Sequence, residues 1–165
     1  FSAGDYNLYR YVANNPINLW DPLGLSACDD FVDFLVGTTN MPGGETVIGA
    51  MMLMKARSGP GMMSKSTPTT GFKPELVGSN KGQIYRHVVG TAGAVVAGVN
   101  SVAYYQLGTD VQQLADPRGT RADEAKAEIA SDLAGLNAGK CMKDKIRNNG
   151  SDEELRKQLK KILCE

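Results

Sequence analysis

Hydrophobic residues recur at helical spacing through most of the chain after residue 25. Apolar positions three and four residues apart predict helices, because they place apolar side chains on one helix face. These segments are residues 26–36, 46–56, 83–105, 120–140 and 151–164. Only residues 7–12, rich in tyrosine, have a strand-like composition. The pattern predicts a mainly α domain preceded by a short β or extended segment.

Small hydroxyl residues mark three predicted helix starts. Ser26 precedes two aspartates, and Ser151 and Thr120 are each followed three residues later by an acidic residue. This spacing is typical of an N-cap with a capping box. Gly37 and Gly139 predict where the first and fourth of these helices end.

The segment 88–105 contains no charged residue. Such a helix is either buried at the centre of a protein or spans a membrane. Asn100 and Ser101 favour the buried helix. One face is small and would permit close approach of a second helix in either setting; it comprises Gly90, Ala94, Gly98 and Val102.

The segment 120–140 has two distinct faces. Its apolar stripe comprises Ala125, Ile129, Leu133 and Leu136. Its acidic stripe comprises Glu124, Glu128 and Asp132. Carboxylates one turn apart repel one another, so such a stripe either faces solvent or meets a cationic group.

The chain has 165 residues, with 18 Lys and Arg against 18 Asp and Glu. This length suits one compact domain. Zero net charge argues against broad electrostatic binding of nucleic acid, which requires a basic face. A local basic patch is still compatible with zero net charge.

The three cysteines are Cys28, Cys141 and Cys164, and they lack the spacing of metal ligands. An odd count fits free thiols, which we favour, or a single disulfide with one free thiol. Cys141 and Cys164 lie in the last two predicted helices and are the candidate pair.

Candidate chemistry centres on His87, the only histidine, and on its neighbour Arg86. If helix 120–140 crosses the start of the apolar helix, Glu128 and Asp132 reach this pair. Histidine beside a carboxylate acts as a general acid or base at a pocket mouth, with Arg86 keeping the carboxylate ionised. The alternative is a core histidine beside a solvated acidic face.

Common catalytic signatures are missing from the sequence. There is no H-E-x-x-H, P-loop, G-x-S-x-G or zinc-deaminase spacing, and Cys28 has no neighbouring base. No metal site is predicted, and the cofactor, if one exists, stays unknown. The sequence is also compatible with an ADP-ribosyltransferase or an NAD-glycohydrolase, because the sequence signatures of these enzymes are diffuse.

Residues 7–25 read NLYRYVANNPINLWDPLGL. This stretch resembles the end of the Rhs/YD-repeat core of bacterial polymorphic toxins, which typically reads N-x-Y-x-Y-V-x-N-N-P-x-N-x-x-D-P-x-G-L. Twelve positions fit: Asn7, Tyr9, Tyr11, Val12, Asn14, Asn15, Pro16, Asn18, Asp21, Pro22, Gly24 and Leu25.

In that family a β-shell encloses a variable C-terminal toxin, and shell carboxylates cut the chain after the D-P-x-G-L motif. The resemblance implies that residues 1–25 end an Rhs core and that residues 26–165 are the toxin. The cleavage motif would comprise Asp21, Pro22, Gly24, Leu25 and Ser26. The expected partners are the shell and a cognate immunity protein.

The same resemblance implies an effector secreted or delivered into a target cell, as in type VI secretion. We expect a hydrolytic enzyme that uses His87, Arg86, Glu128 and Asp132. A membrane-permeabilising toxin using residues 88–105 is the alternative. An inert structural tail is the third interpretation.

The motif generates a prediction about processing. An aspartyl mechanism needs two carboxylates that share a proton, and the family's first D-P-x-G motif is not in this sequence. We expect a longer parent chain to be cut between Leu25 and Ser26, and Asp21→Asn to block the cut. The 165-residue chain should stay intact at neutral pH. Spontaneous cleavage of this chain, seen by mass spectrometry, would contradict the two-motif account.

Overall fold

The computed structural model describes residues 26–58, 69–78, 83–115 and 122–164. Within these ranges the chain forms helices and one 3₁₀ turn (Pro74–Leu76), with no strand, so the predicted mainly α fold is confirmed. The predicted strand at 7–12, the motif positions before Ser26 and the predicted cap Thr120 lie outside these ranges. The helices are α1 (Ala27–Thr39), α2 (Gly44–Ser58), α3 (Gln83–Val96), α4 (Asn100–Leu114), α5 (Ala122–Asn148) and α6 (Asp152–Leu163).

The start of α1 follows the prediction, and its end does not. Ser26 Oγ accepts a hydrogen bond from the Asp29 amide at 3.2 Å, and Asp29 accepts one from the Ser26 amide, which completes a capping box. Gly37 does not end the helix. The helix runs on to Thr39, and the Asn40 amide then donates to Gly37 O.

The predicted single helix over 88–105 is wrong, because the helix is interrupted between α3 and α4. Gly98 adopts a left-handed φ of +79°. Its amide donates to Val95 O at 3.1 Å, and the Val99 amide donates to Ala94 O at 2.9 Å. These two bonds form a Schellman motif, which ends α3 and satisfies its last carbonyls.

α3 lies at the centre of the fold, where it contacts α2, α4 and α5. It is buried from His87 to Val89 and from Thr91 to Val96, so the predicted buried helix is confirmed for this part. α4 is different, since Tyr104 and Tyr105 are well exposed. Among the helices of the described ranges, none combines the length with the apolar content that a membrane span requires.

Glycines set the distance between α3 and its neighbours. A Cβ added to Gly93 on α3 would lie 2.7 Å from Met52 Cβ on α2. A Cβ added to Gly139 on α5 would lie 2.8 Å from Ala92 O on α3. Gly139 therefore does not end its helix as predicted. It lies inside α5, where it allows close packing against α3.

The predicted faces of α5 are rotated relative to the observed ones. Leu133, assigned to the apolar stripe, is 47% exposed. Glu128 and Asp132, assigned to the acidic stripe, are buried together with Ala125 and Leu136. A solvated acidic face is therefore wrong for these two carboxylates, because this side of α5 packs against α3.

The packing of α1 against α6 corrects the cysteine prediction. Cys28 and Cys164 form a disulfide, and Cys141 is the free cysteine among the described residues. Both the expected free thiols and the candidate pair Cys141–Cys164 are wrong. The two helices bring distant sequence positions together, and a Lys160–Asp29 ion pair at 2.6 Å lies beside the bridge.

α6 is close to its prediction. Ser151 caps it by accepting hydrogen bonds from the Glu153 and Glu154 amides. Leu155, Leu159 and Leu163 form its buried apolar face, and Ile162 is partly buried against the same core.

The disulfide generates a stability prediction. It closes a sequence separation of 136 residues, and a bridge across a long loop restricts the unfolded chain strongly. We expect the double variant Cys28→Ser, Cys164→Ser to lose about 2–5 kcal/mol of unfolding free energy in urea titrations. Cys141→Ser is the control and should change little. The bridge itself would be disproved if all three thiols of the unreduced, denatured protein reacted with a thiol reagent.

The break between α3 and α4 generates a second stability prediction. Gly98→Ala should destabilise the fold by about 1–2 kcal/mol, because an alanine resists a left-handed backbone. Gly108→Ala is the matched control within α4, where an added Cβ meets no atom within 4 Å. This control should stabilise the fold by about 0.4–1 kcal/mol. Equal effects of the two substitutions in thermal unfolding would rule out the proposed role of Gly98.

Candidate functional site

Three carboxylates surround the ring of His87. Its Nδ1 lies 2.9 Å from Asp132 Oδ1 and 3.3 Å from Asp110 Oδ2, and its Nε2 lies 3.8 Å from Glu128 Oε1. His87 is 9% exposed, and the carboxylate residues are buried to a similar or greater degree. We call these four residues the His87 cluster.

Three helices supply the cluster. His87 lies one turn into α3, and Glu128 and Asp132 lie one turn apart on the side of α5 that faces it. Asp110 comes from α4, which the break at Gly98 separates from α3. A small second core of Ala94, Val95, Ala103 and Leu136 joins the same three helices.

The structure brings together three of the four residues that the sequence predicted. His87, Glu128 and Asp132 meet because α5 crosses α3 near its start, as the hypothesis required. Arg86 is not part of this group, because it is exposed and, within the described residues, forms no ion pair with a cluster carboxylate. It nevertheless lines the cavity beside His87.

Asp110 is the cluster member that sequence reasoning missed. The predicted apolar helix ends at residue 105, so Asp110 lies outside every predicted helix, whereas α4 runs on to Leu114. A signal was present, however, since Asp110 is the only charged residue within α4. A lone acid in an otherwise uncharged helix is a candidate for a buried functional group.

The cluster alters the pKa of two of its members. Burial acts to lower the pKa of His87, but the hydrogen bond with Asp132 and the charges of Asp110 and Glu128 outweigh it and raise the pKa. Burial, together with the neighbouring Asp132 carboxyl, raises the pKa of Asp110 to about 6, although the His87 charge opposes this shift.

Two carboxylate oxygens of the cluster have no hydrogen-bond donor. Asp110 Oδ2 and Asp132 Oδ2 are buried, and no described residue donates a hydrogen bond to either. Asp110 is 1% exposed and Asp132 is 0% exposed. Buried carboxylates are stable only when they are paired with positive charge or hydrogen-bonded, so these oxygens are an unusual feature of the core.

A cavity of about 120 Å³ opens beside the cluster, and His87 is the cluster member that lines it. Its other walls combine Arg86 and Gln106 with small and apolar side chains, comprising Leu53, Ala56, Gly90, Thr91, Val102 and Ala103. This volume exceeds the roughly 10–15 Å³ that one water molecule needs. The cavity can therefore admit water together with a small polar group.

The arrangement supports two kinds of chemistry. A histidine whose Nδ1 faces a buried carboxylate has a defined ring orientation and tautomer, which suits proton transfer at its other nitrogen. Imidazole and carboxylates are also the usual protein ligands of divalent cations, and one atom each from His87, Asp110 and Glu128 lies within 4.8 Å of the others.

No protein-family model, curated protein or solved structure matches this chain. Its function is therefore inferred from the geometry of the His87 cluster and from the motif in residues 7–25.

Proposed function

We propose that the helical domain of this chain is the toxin domain of an Rhs-type polymorphic toxin and that it is a hydrolytic enzyme. In this proposal the His87 cluster activates a water molecule that attacks a substrate bound in the adjacent cavity. The domain would be delivered into a target cell and held inactive in the producing cell by a cognate immunity protein.

One observation carries the enzymatic part of the proposal. His87 is held by Asp132 through a 2.9 Å contact and forms part of the wall of a cavity. A core histidine with a purely structural role needs neither three carboxylates nor access to a cavity. Both features are expected where a side chain activates water, since the acting group must be oriented and must reach the substrate.

The toxin part of the proposal rests on the motif in residues 7–25. Ser26 is the first residue after that motif, and it is the N-cap of α1. The next residues are tied into the domain, because the amides of Ala27 and Cys28 donate to Thr70. A cut between Leu25 and Ser26 would therefore leave the capping box and these contacts on the toxin side.

The residues have distinct roles in this proposal. His87 touches the reacting water, and Asp132 is a positioning residue that fixes its ring. Arg86 and Gln106 line the cavity and supply polar contacts for the substrate. The exposed guanidinium of Arg86 favours a substrate that carries negative charge.

The test compares the toxicity of matched variants of the 165-residue chain. The chain is expressed in bacteria with and without an export signal, and growth is measured after induction. We expect His87→Ala and Asp132→Asn to lower activity by about 10²–10⁴-fold, the usual contribution of a positioned acid–base group. Asp123→Asn makes the same charge change at a fully exposed side chain of α5 and should remain toxic.

Circular dichroism and binding to the immunity protein show whether each variant is folded. His87→Gln is the second substitution if His87→Ala does not fold. Full toxicity of a folded His87 variant would refute the proposed site. Membrane depolarisation within minutes that survives loss of His87 would instead support the permeabilising alternative.

A further inference from the structure

We propose that His87, Asp110 and Glu128 bind one divalent transition-metal cation, with Asp132 as the residue that positions His87. The catalytic role of this cation rests on the proposed hydrolytic function, whereas its binding does not. The site joins α3, α4 and α5, so its ligands are far apart in sequence and match no metal-binding spacing.

Charge balance is the first argument for a cation. Two of the acids beside the ring, Asp110 and Asp132, are almost fully buried, and within the described residues no lysine or arginine forms an ion pair with either of them. With a neutral imidazole and ionised acids, these two side chains place two negative charges in the core. Burying unpaired carboxylates together is strongly unfavourable. A bound divalent cation would balance both charges.

The donor atoms without partners are the second argument. Asp110 Oδ2 lies 3.3 Å from His87 Nδ1 and therefore faces the cluster, yet no described residue donates a hydrogen bond to it. Asp132 Oδ2 is also buried and likewise receives no hydrogen bond from a described residue. Polar atoms at this depth almost always have a partner, and a cation beside the ring would supply one.

Distance is the third argument. The candidate ligand atoms lie within 4.8 Å of one another. Two ligands bonded to one cation at about 2.0–2.2 Å are roughly 3–4 Å apart. The separation of 3.8 Å between His87 Nε2 and Glu128 Oε1 falls in this range, and an oxygen of Asp110 lies within 4.8 Å of a ligand atom of each of the other two residues.

The Asp132–His87 pair is the fourth argument. Histidines that bind metals usually donate their second ring N–H to a carboxylate, which fixes the ring and the tautomer. Here Nδ1 lies 2.9 Å from Asp132 Oδ1, which leaves Nε2 with a free electron pair on the side of Glu128. Asp132 thus acts through His87.

The donor set indicates which cations fit. An imidazole with carboxylates suits Mn²⁺, Fe²⁺ or Zn²⁺ better than Mg²⁺ or Ca²⁺, which prefer oxygen ligands alone. The cavity gives solvent a route to His87, which is the candidate ligand that lines it. A cation bound to Nε2 would take over the activation of water from the imidazole, because it lowers the pKa of a bound water and so provides the nucleophile that hydrolysis needs.

The test measures binding of Mn²⁺ directly, because Mn²⁺ avoids the free thiol of Cys141. The purified 165-residue chain is stripped with EDTA and titrated with MnCl₂, and unbound Mn²⁺ is followed by electron paramagnetic resonance. We expect one Mn²⁺ per chain and a higher Tm in its presence. Asp110→Asn and Glu128→Gln should weaken binding by at least 10-fold, and Asp132→Asn by about 10–100-fold.

Two controls separate loss of ligands from loss of fold. The Asp123→Asn variant should bind Mn²⁺ like the parent chain, since the side chain of Asp123 is fully exposed to solvent. Asp110→Asn should raise the Tm of the metal-free protein, because it removes a buried charge and adds a donor beside Asp132. A folded Asp110→Asn protein that no longer binds Mn²⁺ supports the site.

Failure of this inference is distinguishable from failure of the proposed function. Absence of Mn²⁺ and Zn²⁺ binding below about 1 mM, or equal binding by the parent, Asp110→Asn and Glu128→Gln, would overturn the cation site. The hydrolytic proposal would survive if His87→Ala still abolished toxicity. Conversely, selective loss of binding in the Asp110 and Glu128 variants supports the cation site even if toxicity proves independent of His87.

Discussion

The close contact between α3 and α5 is the constraint on which the candidate site depends. Gly135 and Gly139 on α5 leave no room for a Cβ, because Thr91 and Ala92 of α3 occupy that space. Only at this separation do Glu128 and Asp132 reach the ring of His87. A larger residue at either glycine would push the helices apart and would act on the site through its geometry.

The break between α3 and α4 is the second requirement. A continuous helix over 88–105 would have carried Asp110 far from His87, since each residue adds about 1.5 Å along a helix axis. The left-handed Gly98 ends α3, and α4 then packs against both α3 and α5. One glycine thus determines whether the third carboxylate joins the cluster.

The disulfide has a different relation to the site. It joins Cys28 to Cys164 on the side of the fold where α1 packs against α6, and neither helix supplies a cluster residue. Disulfides persist in oxidising compartments and are rare in the reducing cytosol. The bridge is therefore expected to persist where the surroundings are oxidising.

The sequence by itself determined most of the helices, because caps and apolar periodicity are local signals. The capping box at Ser26 and the apolar face of α6 were predictable for this reason. The pairing of His87 with Glu128 and Asp132 was also predictable, since one histidine and an acidic stripe leave few combinations.

The tertiary structure alone decided the rest. Whether Gly98 continues or ends a helix depends on its backbone conformation, and whether the acidic side of α5 faces solvent depends on what covers it. The Cys28–Cys164 bridge and the place of Asp110 follow from contacts between helices distant in sequence. Local sequence patterns do not predict such contacts, because the contacts depend on how several helices pack together.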